Sequence, residues 1–301
     1  YLMGLSIGVH LLNLLAIPAI VLVYYFKKYT PNFKGVCVAL AASVAILAAV
    51  LYGLIPGFVK VASWFELLFT NVLGCPFNTG LIIYMVLAIA ALVWAVYETQ
   101  FGTNAVRAKI AFVVALTLIG VPFLGDGIVL GVLIIVALCL FLFLYKNVSR
   151  RWMNTIVLCA TVMLIGYASY AMIVIRSMAN TPMDQNSPED VFSLQYYLNR
   201  EQYGDRPLFY GAVYSAPEKL TVQGNVCVPE EKEGSPIWIC KEKTEPGEKD
   251  QYVVAGYRHR GYKMDERFMM LFPRMYSTKG SHVEAYKSWA NIKGKRIEVD
   301  R

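Results

Sequence analysis

Six stretches of this 301-residue chain contain no Asp, Glu, Lys or Arg: Tyr1–Phe26, Gly35–Val59, Leu67–Tyr97, Ile110–Gly125, Gly127–Tyr145 and Trp152–Ile175. A bilayer core about 30 Å thick needs roughly 20 apolar helical residues, and a helix satisfies all its backbone groups within one lipid-exposed segment. Most of these runs are long enough to be membrane spans. Composition agrees once the charges are located. Tyr1–Ile175 holds 9 Lys or Arg and 3 acids (Glu66, Glu98, Asp126), whereas Arg176–Arg301 holds 19 and 18. A nearly uncharged part is joined to a part with soluble-type composition, which excludes a single water-soluble globule. Most of the net charge of +7 lies between apolar runs, so the basic balance does not point to a nucleic-acid partner.

Ile110–Gly125 is short, and joined to the next run it is interrupted by Pro122 and the sequence Gly125-Asp126-Gly127. That pattern predicts a helical hairpin. Tyr1–Phe26 contains Pro18 and is read either as one kinked span or as a half-span and a second helix. If Lys27, Lys28 and Lys34 are cytoplasmic, so are Arg107, Lys109, Lys146, Arg150 and Arg151, leaving Lys60 alone on the outer side. The positive-inside rule then places everything after Arg176 outside the cytoplasm. The sequence reads as a polytopic α-helical membrane protein of about six spans (1–176), followed by a small mixed α/β extracytoplasmic domain (177–301). No cleavable signal peptide is visible, and the chain reads as an internal fragment of a longer polytopic membrane protein.

Near 60–78, Val61, Trp64, Phe65, Leu68 and Val72 fall on one helical face, with Lys60, Ser63, Glu66 and Thr70 near the other. This predicts a helix in the membrane interface with Glu66 at the outer water boundary. Beyond the spans, Ser187-Pro188-Glu189-Asp190 predicts a helix start. The helix should run to about Tyr203, with Val191, Leu194 and Leu198 buried and Gly204 as terminator. Leu220–Val228, Pro236–Cys240 and Gln251–Tyr257 predict a small antiparallel sheet. Asp265–Trp289 is expected to be partly helical.

Candidate chemistry is sparse. His10 and Asn13 share one face of an apolar helix, which suits interhelical hydrogen bonds or the lining of a substrate cleft. Glu66 and Asp126 are the carboxylates at the outer face of the membrane part, and a hydroxyl acceptor needs such a base. The alternative roles are an interfacial polar face for Glu66 and a turn for Asp126. Arg200, Arg206 and Arg274 can hold a phosphate through forked hydrogen bonds. Cys227 and Cys240 lie in neighbouring predicted strands where a disulfide is permitted. The three His and the acidic segment from Glu230 to Asp250 match no metal-binding spacing, and no cofactor motif is present.

Three strings carry a resemblance: GLSIGVHLLNLLAIPAI at Gly4–Ile20, SPEDVFSLQYYLNREQYGDRPLFYG at Ser187–Gly211 and DERFMMLFPRMYS at Asp265–Ser277. The chain resembles a bacterial family of large multi-spanning proteins related to the protein O-mannosyltransferases of the GT-C glycosyltransferase superfamily. The resemblance implies transfer of a sugar from a polyprenyl-phosphate donor to a protein or glycan acceptor on the outer face. It also implies that the catalytic acidic loop lies upstream of Tyr1. Many GT-C members carry a Lys where this sequence has His10 and Asn13.

Two other classes compete with a transferase. An envelope-lipid transporter or flippase would favour charges buried within the spans and repeated broken helices; the six runs contain no such charge and no repeat. A noncatalytic envelope-assembly subunit would use the outer domain, where Tyr196, Tyr197, Tyr203 and Tyr210 cluster, as an interface.

Overall fold

A computed structural model of the chain describes all residues except 126, 146–147, 180, 185, 202–206, 208, 225, 246, 274, 276 and 294–301. It divides into two compact units: Tyr1–Asn199 with Trp238–Val253, and Arg200–Ile237 with Val254–Arg301.

The first unit is a helical bundle. Its first apolar run resolves into two pieces, α1 (Leu2–Ile7) and, after a 3-10 turn at Leu11–Leu15, α2 (Ala16–Lys28). The chain breaks at His10, whose backbone is extended, and not at Pro18, which lies in the first turn of α2. Proline is tolerated there because the first N–H groups of a helix have no intrahelical acceptor.

The next helix is continuous from Phe33 to Val72. It comprises α3 (Phe33–Ala48), a π-helical turn (Ala49–Leu54), α4 (Ile55–Leu67) and a second π-helical turn (Leu68–Val72). Forty residues reach about 60 Å, so the segment expected as a separate interfacial helix is the far end of this one. α5 (Thr79–Gln100) runs back, and α6 (Ala105–Leu118) and α7 (Ile128–Leu144) form the anticipated helical hairpin. α8 (Arg150–Tyr167) continues through a 3-10 turn into α9 (Ala171–Met178). Among the described residues, four helical segments are long and apolar enough to cross a membrane: Leu11–Lys28, Phe33–Val72, Thr79–Gln100 and Arg150–Met178. Ile128–Leu144 is apolar but shorter.

Packing in this bundle is inverted relative to a water-soluble protein. On α5 the small residues Ala88, Ala91 and Ala95 face inward, while Val86, Ile89 and Val93 are exposed. Ala108, Ala111 and Ala115 of α6 are fully buried. Small residues let helix backbones approach where lipid removes the hydrophobic drive for association, and so large an exposed apolar surface would be an aggregation hazard in water.

Glycines set the closest crossings. A Cβ on Gly57 would lie 2.2 Å from the Gly120 carbonyl oxygen, and one on Gly53 2.5 Å from that of Val121. Gly53-x-x-x-Gly57 therefore seats the middle of the long helix against the backbone that follows α6. Gly4 of α1 and Gly166 of α8 meet in the same way, each with backbone atoms of the other's helix within about 3 Å of its would-be Cβ. Tyr84 is fully buried; its hydroxyl lies 2.8 Å from the Leu118 carbonyl and 3.0 Å from that of Phe58, covering an orphan carbonyl at the end of α6.

α10 (Val191–Asn199) packs on α4 within this unit. Its N-cap is Asp190, three residues later than Ser187: Asp190 Oδ1 accepts from Phe192 N at 2.8 Å and Ser193 N at 2.7 Å. Ser187 has φ 36°, which removes it from a capping geometry. Val191 and Leu198 are buried and Leu194 is half-buried. The helix stops before Arg200, at φ 55°, so the end comes earlier than Tyr203; Gly204 lies outside the described residues.

The expected single sheet is instead three two-stranded ribbons. β1 (Tyr210–Ala212) pairs antiparallel with β6 (Met269–Leu271). β2 (Leu220–Gln223) pairs with β3 (Val226–Pro229), so the run read as one strand folds on itself at Gly224, φ 65°. β4 (Glu231–Cys240) pairs with β5 (Tyr252–Tyr262), and the tip of this hairpin, Trp238–Val253, belongs to the first unit. In the second unit Glu230 sits between Lys263 and Lys219, whose ammonium groups hold its carboxyl below the usual range. A short 3-10 turn (Glu266–Phe268) and α11 (Gly280–Trp289) supply the helical content of the last stretch.

Candidate functional site

The densest polar cluster of the first unit lies where the long helix ends and α5 begins. Its centre is Glu66, only 1% exposed. Four donors converge on its carboxylate: Asn78 N–H at 2.6 Å and Tyr252 Oη at 3.2 Å on Oε1, Thr70 Oγ1 at 3.1 Å on the same oxygen, and Leu81 N–H at 2.9 Å on Oε2.

The local sequence explains why α5 needs this partner. Its N-cap, Asn78, is held in the left-handed region at φ 67° and its side chain makes no cap bond. Gly80 then allows α5 to press on α4, since a Cβ there would lie 2.3 Å from the Phe65 carbonyl oxygen. The carboxylate thus reaches the positive end of the helix dipole from a neighbouring helix. Glu66 was expected at the water boundary; the structure buries it, because the uncapped N–H groups of α5 demand an acceptor. With four donors in place, its geometry is that of a cap and not of a base open to a substrate.

The hairpin tip is fastened to the same place. Asn71 donates to the Tyr252 carbonyl at 2.9 Å and accepts from Tyr252 N–H at 2.8 Å, as a neighbouring strand would. Asp250 accepts from Phe77 N–H at 3.1 Å and pairs with Lys243 at 2.7 Å. Phe192 stacks edge-on against Tyr252, 5.0 Å between centroids, and tilts against Trp238. Burial and the nearby Glu66 push the Tyr252 hydroxyl far above its ordinary pKa, so it remains a proton donor to the carboxylate. Burial, with Asp190, Asp250 and Glu66 near, also raises the Cys240 thiol. Asn71→Ala is expected to remove two part-buried bonds at about 1–2 kcal/mol in total and to loosen the tip. Limited proteolysis within 241–251 should accelerate, and an unchanged cleavage rate would contradict this fastening.

Lys60, the cation read as an outer-loop charge, is buried. Its ammonium donates to the Gly125 carbonyl at 2.6 Å and lies 5.4 Å from the centre of the Trp64 ring. Ser63 Oγ stands 3.3 Å from Gln195 Oε1, joining α4 to α10. Glu98, in the last turn of α5, is also buried and pairs with Arg107. Lys60, Glu66 and Glu98 lie outside the six uncharged runs, and the structure buries all three, Lys60 in the middle of α4 and Glu98 in the last turn of α5, where backbone groups and loops offer partners.

His10 and Asn13 are exposed and serve their own segment. His10 Nδ1 accepts from Leu12 N–H at 3.1 Å, and Asn13 Nδ2 reaches the Ser6 carbonyl at 3.3 Å. Together they bridge the break between α1 and α2, in place of the interhelical bonds anticipated. Arg200 follows α10 and lies in the second unit. Asp126, Arg206 and Arg274 lie outside the described residues. Cys227 and Cys240 are free thiols: the β3 register sets Cys227 opposite Val222, and Cys240 ends β4. Among the described residues no group of three or more His, Cys, Asp or Glu could hold a metal ion.

Residues 1–32, which contain α1, the break at His10 and α2, match the family described as the N-terminal domain of the protein O-mannosyl-transferase TMEM260. Residues 204–299 match a family of unknown function, DUF8416, over a region that falls mostly in the second unit. No curated protein and no solved structure matches the chain.

Proposed function

We propose that this chain is the central part of a GT-C-type membrane glycosyltransferase. It transfers a sugar from a polyprenyl-phosphate donor to a protein or glycan acceptor on the extracytoplasmic side of a bacterial inner membrane. The observation that carries the reading is the match of residues 1–32 to an O-mannosyl-transferase N-terminal domain, supported by the apolar helices that suit a lipid-linked donor.

The acceptor hydroxyl oxygen bonds to the anomeric carbon as the bond from that carbon to the lipid phosphate breaks, and a carboxylate takes the hydroxyl proton. Glu66 is engaged by four donors and Glu98 by Arg107. The family resemblance implies an acidic loop as the source of the base, with Asp126 as the local alternative. His10 and Asn13, at the exposed end of the first long helix, are assigned to the donor headgroup. Arg200, Arg206 and Arg274 are assigned to the phosphate, as forked donors that strengthen as charge grows on the leaving oxygen.

The test is sugar transfer by the native protein in membrane vesicles supplied with polyprenyl-phosphate sugars. Arg206→Ala with Arg274→Ala is expected to lower transfer at least tenfold at unchanged protein level. Full activity would remove the phosphate role, and movement of donor across the membrane without transfer would favour a transporter.

A further inference from the structure

At the opposite end of the bundle from Glu66, the turn between α5 and α6 gathers basic side chains from separate helices. Arg107 of α6 donates to Glu98 Oε1, and Arg150 of α8 donates to the Gly102 carbonyl. Gly102 is pressed on Glu98, since a Cβ there would lie 2.4 Å from Oε2. The two guanidinium groups thus grip one turn from either side. Lys109 donates to the Leu142 carbonyl and ties the end of α7 to α6, while Asn154 donates to Thr99 Oγ1 at 3.0 Å and ties α8 to α5.

We propose that this cluster binds the phosphodiester headgroup of an anionic lipid. The charges there are Arg107, Lys109, Arg150 and Arg151 against the single carboxylate of Glu98, leaving +3. Glu98 is 1% exposed, but the Arg107 side chain is 60% exposed. One face of its five-donor guanidinium is fixed by the buried acid while the rest stays accessible. An arginine held in place in this way loses little further freedom on meeting a phosphate oxygen, and it presents the fork that suits that anion.

Exposed apolar side chains surround the charge: Val106, Phe143, Tyr145 and Trp152. That surface suits acyl chains and an interfacial aromatic, which favours a lipid over a free phosphate. Basic pockets between membrane helices on the cytoplasmic side are suited to anionic headgroups, and the loop charges assign this end to the cytoplasm. The site is separate from the proposed sugar transfer and does not depend on it.

The experiment is native mass spectrometry of the purified protein in mild detergent, titrated with cardiolipin, phosphatidylglycerol, phosphatidylcholine or inorganic phosphate. Cardiolipin and phosphatidylglycerol should be retained about tenfold more than phosphatidylcholine. Arg107→Gln with Arg150→Gln should abolish that preference. Because Arg107→Gln strands Glu98, Arg151→Gln, at an exposed position, and Glu98→Gln provide independent arms. Arg151→Gln should lower retention severalfold, and Glu98→Gln should preserve or increase it, whereas a purely structural cluster would show loss only where folding is lost. Equal retention of all lipids, unchanged retention in both arginine variants, or displacement by millimolar inorganic phosphate would each overturn the proposal.

Discussion

Glu66→Ala is expected to destabilise the bundle by about 3–5 kcal/mol, because it strands the part-buried backbone N–H groups of Asn78 and Leu81 together with the two buried hydroxyl bonds of Thr70 and Tyr252. Each buried donor left without an acceptor costs about 1–3 kcal/mol. The first turn of α5 also loses the negative group that offsets its dipole. Glu66→Gln should fall between the two: the amide oxygen can still serve one backbone donor, but its NH2 turns toward another. The check is thermal unfolding in detergent followed by circular dichroism, with a drop in midpoint on the order of 10 °C for the alanine variant. A Glu66→Ala protein that melts with the wild type would show that the cap contributes nothing.

Gly57→Val should have a comparable effect for a different reason. The added Cβ would stand 2.2 Å from the Gly120 carbonyl oxygen and 2.7 Å from its carbon. Both are backbone atoms, so no side chain can swing aside. Gly120 cannot yield easily either, since its φ of 83° already uses the glycine-only part of conformational space. The long helix must move as a body, at about 3 kcal/mol or more. Gly256→Ala, where nothing lies within 4 Å of the new Cβ, serves as the control. The measurement is the yield of folded monomer after detergent extraction. Equal yields for Gly57→Val and Gly256→Ala would show that the crossing has slack.

That the chain carries apolar helices long enough to cross a membrane was legible in the sequence, because lipid imposes a length and a charge rule on each span; about six were expected, and four among the described residues meet the length. The helical hairpin around Gly125 follows from a local feature, whereas the break in the first run falls at His10 and not at Pro18, the residue that suggested it. Glu66 was misplaced because its partners are tertiary. A helical-wheel reading groups it with Lys60, Ser63 and Thr70 as a polar face, and in water such a face is the outside. In this bundle the same face turns inward, where α5 and the hairpin tip supply donors to Glu66 and α10 supplies an acceptor to Ser63. Gly80 was the available signal, a glycine inside the first turn of an apolar helix, whereas Asn78 is a strong N-cap residue whose side chain makes no cap bond only in the fold.

The pairing of Asn71 with Tyr252 spans 181 residues, and no local pattern marks it. The Gly53-x-x-x-Gly57 spacing was visible but its partner was not, because the opposing surface is the backbone at Gly120 and Val121 and not a second helix. The strands that carry Cys227 and Cys240 were misread for the converse reason. Strand propensity placed Cys227 and Cys240 in adjacent runs, but pairing depends on register, and the first run folds on itself at Gly224.

Sugar transfer itself tests the central claim most directly. The native protein, reconstituted in sealed proteoliposomes of known orientation, would be given a radiolabelled polyprenyl-phosphate sugar and a peptide or glycan acceptor on one side at a time. The expected result is labelled acceptor only when donor headgroup and acceptor share the side that carries the hairpin tip, Trp238–Val253. Absence of labelled acceptor from either side with every polyprenyl-phosphate sugar tried, in protein that remains folded, would contradict a glycosyltransferase.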